Sequence, residues 1–131
     1  MFKHTIRSAA VGVVGALALS TAVATPAFAK DGRIERRGSC SGATDWKLKL
    51  QPENGRIEAE FEVDSNRVGQ VWKVAINDNG VRVFTGSRRT KAPSGSFEVA
   101  RVIANRAGAD HVVASARNTK TGEACTGRLT I

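Results

Sequence analysis

The chain has 131 residues, of which 20 are lysine or arginine and 12 are aspartate or glutamate, so its formal net charge is +8. This length accommodates one modest hydrophobic core and excludes two full-sized domains once any leader is removed. The strong basicity favours anionic partners through long-range attraction, although it also serves solubility alone.

Residues 1–29 have the composition of a Sec-type signal peptide. A short basic start precedes an uncharged run from Ala9 to Ala24, which is short for a membrane span of about 20 residues. Pro26 ends the predicted signal-peptide helix, and small residues at positions 27 and 29 suit a signal peptidase. We predict cleavage after Ala29, with cleavage after Ala24 or an uncleaved anchor as alternatives. The product is then a secreted protein without a membrane anchor.

The segment 30–44 is basic and polar, without apolar periodicity, and is predicted to be a flexible arm. It contains Cys40, and the only other cysteine is Cys125. Exported proteins fold in an oxidising compartment, so we expect these two residues to form a disulfide. A reactive thiol or a metal site is the alternative, but two cysteines and one mature histidine cannot complete a four-ligand zinc site. We predict no metal and no cofactor.

Alternation of apolar and charged residues predicts a β-hairpin directly after the arm. Its first strand turns Trp46, Leu48 and Leu50 inward. The turn sequence at 51–55 leads into a second strand in which glutamates alternate with apolar residues at 57–63. The expected register pairs Leu48 with Ala59, Lys49 with Glu58 and Lys47 with Glu60. Such pairing explains the glutamates as structural partners of the lysines.

Five further strands follow, separated by turn signals. The strand at 69–77 carries Trp72, Val74 and Ile76 inward, and Asn77 to Gly80 turns it into a strand at 81–86. The segment 86–95 is predicted to be a loop. The remaining strands are expected at 96–103, 111–118 and 123–131. Seven short strands in this spacing favour an all-β sandwich.

The stretch from Asp110 to Asn118, DHVVASARN, resembles the sixth strand of an immunoglobulin-like domain, and the segment from Gly122 to Ile131 is similar to the seventh. Trp72 stands where such domains carry a third-strand tryptophan. The resemblance implies a seven-stranded antiparallel immunoglobulin-like β-sandwich over residues 45–131, and the fibronectin type III-like variety fits equally well. Ala114 replaces one inter-sheet cysteine of antibody domains. The resemblance implies a fold and no activity.

A nucleophile needs a base that is oriented by a third group, and only His111 is available after residue 29. Its neighbour Asp110 points to the opposite face of the predicted strand and cannot orient the imidazole. We therefore predict that the protein is not an enzyme, with a small hydrolase built around His111 as the alternative.

One group of residues is a candidate for contact with an anionic surface, although a solvated loop explains the same charges: Arg82, Arg88, Arg89 and Lys91. Phe84 is out of phase with its aliphatic neighbours, so it marks either a bulge or an exposed binding aromatic. We predict a small, monomeric, secreted binding module for an anionic cell-envelope polymer or an extracellular protein. We do not expect nucleic acid as a partner. The alternative is a secreted enzyme inhibitor that presents the loop 88–95.

Overall fold

The computed structural model describes residues 32–131; the predicted signal peptide lies outside the described residues. The described chain is all-β, with eight strands in two antiparallel sheets. None of its residues belongs to a helix that could cross a membrane. The strands are β1 (Ile34–Ser39), β2 (Asp45–Glu53), β3 (Arg56–Asp64), β4 (Val71–Asp78), β5 (Val81–Arg89), β6 (Ser96–Ile103), β7 (His111–Asn118) and β8 (Ala124–Thr130).

The first sheet has the strand order β1-β2-β3-β6, and the second has the order β5-β4-β7-β8. One core of apolar side chains lies between them. Leu48 and Phe61 of the first sheet and Trp72 and Ile76 of the second are each 0% exposed, as the alternation predicts. Every strand that contributes to this core therefore turns alternate side chains outward, and these outward side chains form the two faces of the molecule.

The structure has eight strands where the sequence predicts seven, because β1 forms within the segment predicted as a flexible arm. This strand pairs along the edge of β2, from Ile34 opposite Leu50 to Ser39 opposite Asp45. Its inward position 38 is glycine, and a Cβ there would collide with the indole of Trp46. An edge strand with glycine and arginine at inward positions lacks apolar alternation, so its sequence does not reveal it.

The β2–β3 hairpin has a different register from the predicted one. Asn54 and Gly55 alone form the turn, both with positive φ (48° and 78°), which is the geometry of a type I′ turn. The strands consequently extend to the turn, and Leu48 pairs with Phe61 instead of Ala59. The shift is two residues, so every side chain keeps its predicted face. The ion pairs are Lys47–Glu62 at 4.0 Å and Lys49–Glu60 at 3.3 Å.

The predicted disulfide is confirmed, with the Cα atoms of Cys40 and Cys125 4.2 Å apart. It ties the β1–β2 connection to β8 and therefore joins the two sheets. Glu123 reinforces this junction: its carboxylate accepts hydrogen bonds from the Thr44 hydroxyl at 2.8 Å and from the backbone N–H groups of Gly42 and Thr44.

The strand β5 is longer than predicted and continues to Arg89, so the predicted loop 86–95 is wrong in its first half. The register between β4 and β5 shifts at Ile76/Asn77, which leaves Val83 as the extra residue of a β-bulge. This bulge accounts for the phase of Phe84. Its ring is partly buried and packs against the core.

Candidate anion-binding face

The two outward faces of the sandwich carry opposite charge. The strands of the first sheet contain eight carboxylates, all at outward positions: Glu35, Asp45, Glu53, Glu58, Glu60, Glu62, Asp64 and Glu98. The strands of the second sheet contain a single carboxylate, Asp78, which is 0% exposed. The outward positions of the first sheet also hold four cations, Arg37, Lys47, Lys49 and Arg56, so carboxylates outnumber cations there by four. The alternation of the strands therefore gives the two faces opposite net charge.

We call the outward side of the second sheet the basic face. Five exposed cations occupy it, from all four strands: Lys73, Arg82, Arg89, Arg117 and Arg128. No carboxylate of the described strands shares this face. Lys73 and Arg117 alternate with buried residues, so packing of the core fixes the direction in which they point, and strand pairing places the other three cations on the same side.

Strand register arranges the centre of the basic face in three rows across the sheet. The first row is Ser87, Lys73, Arg117 and Ala124; the middle row is Thr85, Ala75, Ser115 and Thr126; the last row is Arg82, Asn77, Val113 and Arg128. Arg82 is directed toward the middle of the sheet, because its Nε donates a 2.6 Å hydrogen bond to Oδ1 of Asn77.

The first row contains a like-charged pair. Lys73 and Arg117 are directly opposite each other on β4 and β7, where Cα atoms lie about 4.5–5.5 Å apart. Like charges in this position destabilise a sheet by a few tenths of a kcal/mol. No ion pair with a described residue neutralises either side chain. An anion bound here would remove the repulsion.

A cleft of about 550 Å³ opens beside this pair, at the turn that joins β7 to β8. Lys73, Arg117 and Lys120 line it together with backbone and hydroxyl groups of the turn. The turn is held by Asn118, which is 3% exposed and whose Oδ1 accepts hydrogen bonds from the N–H groups of Lys120 (2.8 Å) and Thr121 (3.0 Å). This fixed turn keeps the Lys120 backbone beside the like-charged pair.

A second cleft, of about 370 Å³, lies on the other side of the same turn. It shares Lys120 with the first cleft and adds Arg89, whose guanidinium donates to the carbonyl of Gly69 at 3.1 Å. Neither cleft is lined by a carboxylate. The end of the basic face near the β7–β8 turn is therefore its most concave and most positive part.

The four cations that we predicted to form one anionic-surface patch do not lie on the same side of the second sheet. Arg82 and Arg89 lie on the basic face, at opposite ends of β5. Arg88 is opposite the buried Trp72 and so points to the inner side, where its guanidinium stacks 5.2 Å from the centroid of the Phe84 ring. Lys91 lies beyond the strand, in the turn that bridges to Ser96.

Phe84 lies between the two sheets at their open edge, and not on the basic face. Arg101 of β6 approaches the same ring at 5.6 Å from its centroid. Two guanidinium groups from different sheets therefore lie next to the ring and compete with any ligand that would stack on it.

Sequence reasoning missed Lys73, Arg117, Lys120 and Arg128. The signal was present, since the three strand residues alternate with buried positions on β4, β7 and β8. Assembly of these cations into one face requires the pairing of β4 with β7, which are joined by no hairpin.

His111 is exposed at the start of β7, on the same outward side as the basic face and one interval beyond its last row, and shares a 2.9 Å hydrogen bond with the Thr130 hydroxyl. On the opposite, acidic side, burial and the carboxylates of Glu60 and Glu62 raise the pKa of Glu98.

Comparison with known protein families and with curated protein sequences finds no significant match to this chain.

Proposed function

We propose that the mature protein is a secreted, non-catalytic and monomeric binding module whose basic face contacts an anionic polymer of the cell envelope. The separation of charge carries this proposal: five exposed cations lie on one outward face, and eight carboxylates lie on the other. A flat cationic face attracts a polyanion over long range and needs no deep pocket. The composition of residues 1–29 and the disulfide support export.

The like-charged pair of Lys73 and Arg117 adds a second line of support. A protein that needed these charges only for solubility gains nothing by placing them opposite each other, where they repel. A bound anion between them converts that repulsion into charge-assisted hydrogen bonds.

We also infer an immunoglobulin-like fold for this module. If β2 to β8 take the labels A, B, C, C′, E, F and G, the pairs A–B, B–E, C–C′, C–F and F–G are those of immunoglobulin-like sandwiches. The resemblance of residues 110–118 to the sixth strand then falls on F, and Trp72 falls on C. The strand β1 is an addition at the edge of A.

Retention on isolated cell envelope tests the proposed function. The variant Lys73→Gln/Arg117→Gln removes two cations from the basic face, and Arg37→Gln/Arg56→Gln removes two exposed cations from the acidic side as a matched control. We expect wild type and control to be retained at low salt and released together as salt rises, and the basic-face variant to elute markedly earlier. Co-elution of all three proteins, or retention that salt does not affect, would contradict the proposal.

An enzyme inhibitor remains a second candidate because the turn after β5 is firmly anchored. Thr90 is 1% exposed and its hydroxyl accepts a 2.9 Å hydrogen bond from the N–H of Gln70, while Lys91 N–H donates to the Ser96 carbonyl at 2.9 Å. Anchored, displayed loops are typical of inhibitors that bind an active site. Cleavage by trypsin after Lys91 in the native protein would count against this candidate.

A further inference from the structure

We propose that the polymer is a linear polyol phosphate, bound along the strands of the second sheet with one backbone phosphate at each row: the cationic rows hold their phosphates by charge, and the hydroxyls of the middle row hold theirs by hydrogen bonds. This inference rests on the proposed function and names the chemistry of its ligand. It follows from the spacing of the rows, the character of the middle row, and the type of side chain that is absent from the rows.

The cations are spaced along the strands at multiples of one interval. Side chains on one face of a strand recur every two residues, about 6.6 Å. Arg89 is opposite Val71, one interval before the first row, which holds Lys73 and Arg117. The last row, with Arg82 and Arg128, lies two intervals beyond the first row. A polyanion with a charge every 6–7 Å meets a cation at each of these positions.

A backbone of six bonds per repeat has this period. Three extended main-chain bonds span about 3.3–3.6 Å, so six bonds span about 7 Å. A three-carbon polyol joined by phosphodiesters has six backbone bonds between successive phosphorus atoms. The spacing of its charges therefore matches the spacing of the rows. Inorganic polyphosphate has two bonds per repeat, so its charges lie much closer together.

The middle row carries hydroxyl groups in place of charges. Thr85, Ser115 and Thr126 cross three of the four strands, with Ala75 between the first two. Their hydroxyls make no hydrogen bond with another residue in the described part of the chain. A row of small side chains lets a polymer backbone lie close to the sheet, and its hydroxyls can donate hydrogen bonds to the phosphate that falls there.

The rows of the basic face lack aromatic side chains. Among the described residues, the three rows hold none, because Trp72 is buried and Phe84 points to the inner side, and the imidazole of His111 lies one interval beyond the last row. Single-stranded bases bind proteins chiefly by stacking on aromatic rings. Nucleic acid shares the six-bond backbone, but the three rows offer its bases no aromatic ring on which to stack. An acyclic polyol needs no such platform.

Binding of three polyanions by the mature protein, at equal charge concentration and ionic strength, tests this inference. The probes are poly(glycerol phosphate), polygalacturonate and single-stranded poly-dT. We expect poly(glycerol phosphate) to bind at least tenfold more tightly than either of the others. The double variant Ser115→Ala/Thr126→Val should weaken that binding at least threefold, with thermal unfolding as the control for an intact fold.

Equal or tighter binding of polygalacturonate or poly-dT would overturn the inference, as would an unchanged affinity of the hydroxyl variant. The proposed function survives either result if Lys73→Gln/Arg117→Gln still weakens binding of the preferred polymer. If that variant binds every polyanion like wild type, the basic face is not the binding site and both proposals fail.

Discussion

The buried carboxylate of Asp78 makes the stability of the domain depend on pH, and the substitution Asp78→Asn should remove that dependence. Asp78 ends β4, is 0% exposed, and has its Oδ2 3.3 Å from Nε of Arg106. Burial raises the pKa of this carboxyl from 3.8 to about 6, with a contribution from its hydrogen bond to Asp110, and Arg106 opposes the rise. The fold therefore favours the protonated form.

The direction of the effect follows from linkage. Because the pKa is higher in the folded state than in the unfolded state, the contribution of Asp78 to stability is complete below about pH 4 and is lost as pH rises through about 6. A rise of about two pKa units corresponds to a loss of up to about 3 kcal/mol. Asparagine keeps the shape of the side chain and carries no charge at any pH in this range.

Urea unfolding at pH 4, 5, 6 and 7, followed by tryptophan fluorescence, measures the difference in unfolding free energy between wild type and Asp78→Asn. We expect this difference to shift in favour of the variant by about 1–3 kcal/mol between pH 4 and pH 7. Asp45→Asn, at an exposed aspartate, is the control and should track wild type at every pH. A wild-type-to-variant difference that stays constant with pH would refute the reasoning.

Two further predictions concern the junction of the sheets. Gly127→Ala should destabilise the domain by about 1–3 kcal/mol, because a Cβ there would lie 2.7 Å from the indole of Trp46. The control Thr126→Ala, on the outward side of the same strand, should cost less than about 0.5 kcal/mol. Equal effects of the two substitutions on the thermal midpoint would contradict the packing argument. Replacing Cys40 and Cys125 by serine should lower the free energy of unfolding by about 4–5 kcal/mol, because the disulfide joins residues 85 positions apart and so restricts the unfolded chain. A loss below about 1 kcal/mol in urea unfolding would mean that this restriction contributes little.

Most strands are visible in the sequence because apolar residues alternate with charged ones. The bounds of β6 and β7 agree with the predicted 96–103 and 111–118. The edge strand β1 is not predicted because Gly38, at an inward position, leaves room for the Trp46 indole and has no apolar side chain that would add to the alternation. The predicted register of the first hairpin is wrong because Asn54 and Gly55 alone form its turn, whereas the turn residues at 51–55 predict a longer one.

The basic face shows a different limit of sequence reasoning. The alternation of apolar and polar residues predicts that Lys73 and Arg117 point outward. Their proximity depends on the pairing of β4 with β7, which are far apart in the chain. The patch predicted from charges that are close in sequence was divided, because Arg88 and Arg89 are neighbours on a strand and point to opposite sides. In a β-sandwich, the charge of a surface is therefore the sum over residues that point to that face, and not over residues that are neighbours in the sequence.

The salt dependence of polymer binding tests the central claim most directly. For labelled poly(glycerol phosphate), five contacts between cations and phosphates predict a slope of about −3.5 for the logarithm of the association constant against the logarithm of the salt concentration. Removal of two contacts in Lys73→Gln/Arg117→Gln should reduce the slope to about −2, while Arg37→Gln/Arg56→Gln keeps the wild-type slope. Equal slopes for the two variants would contradict the assignment of binding to the basic face.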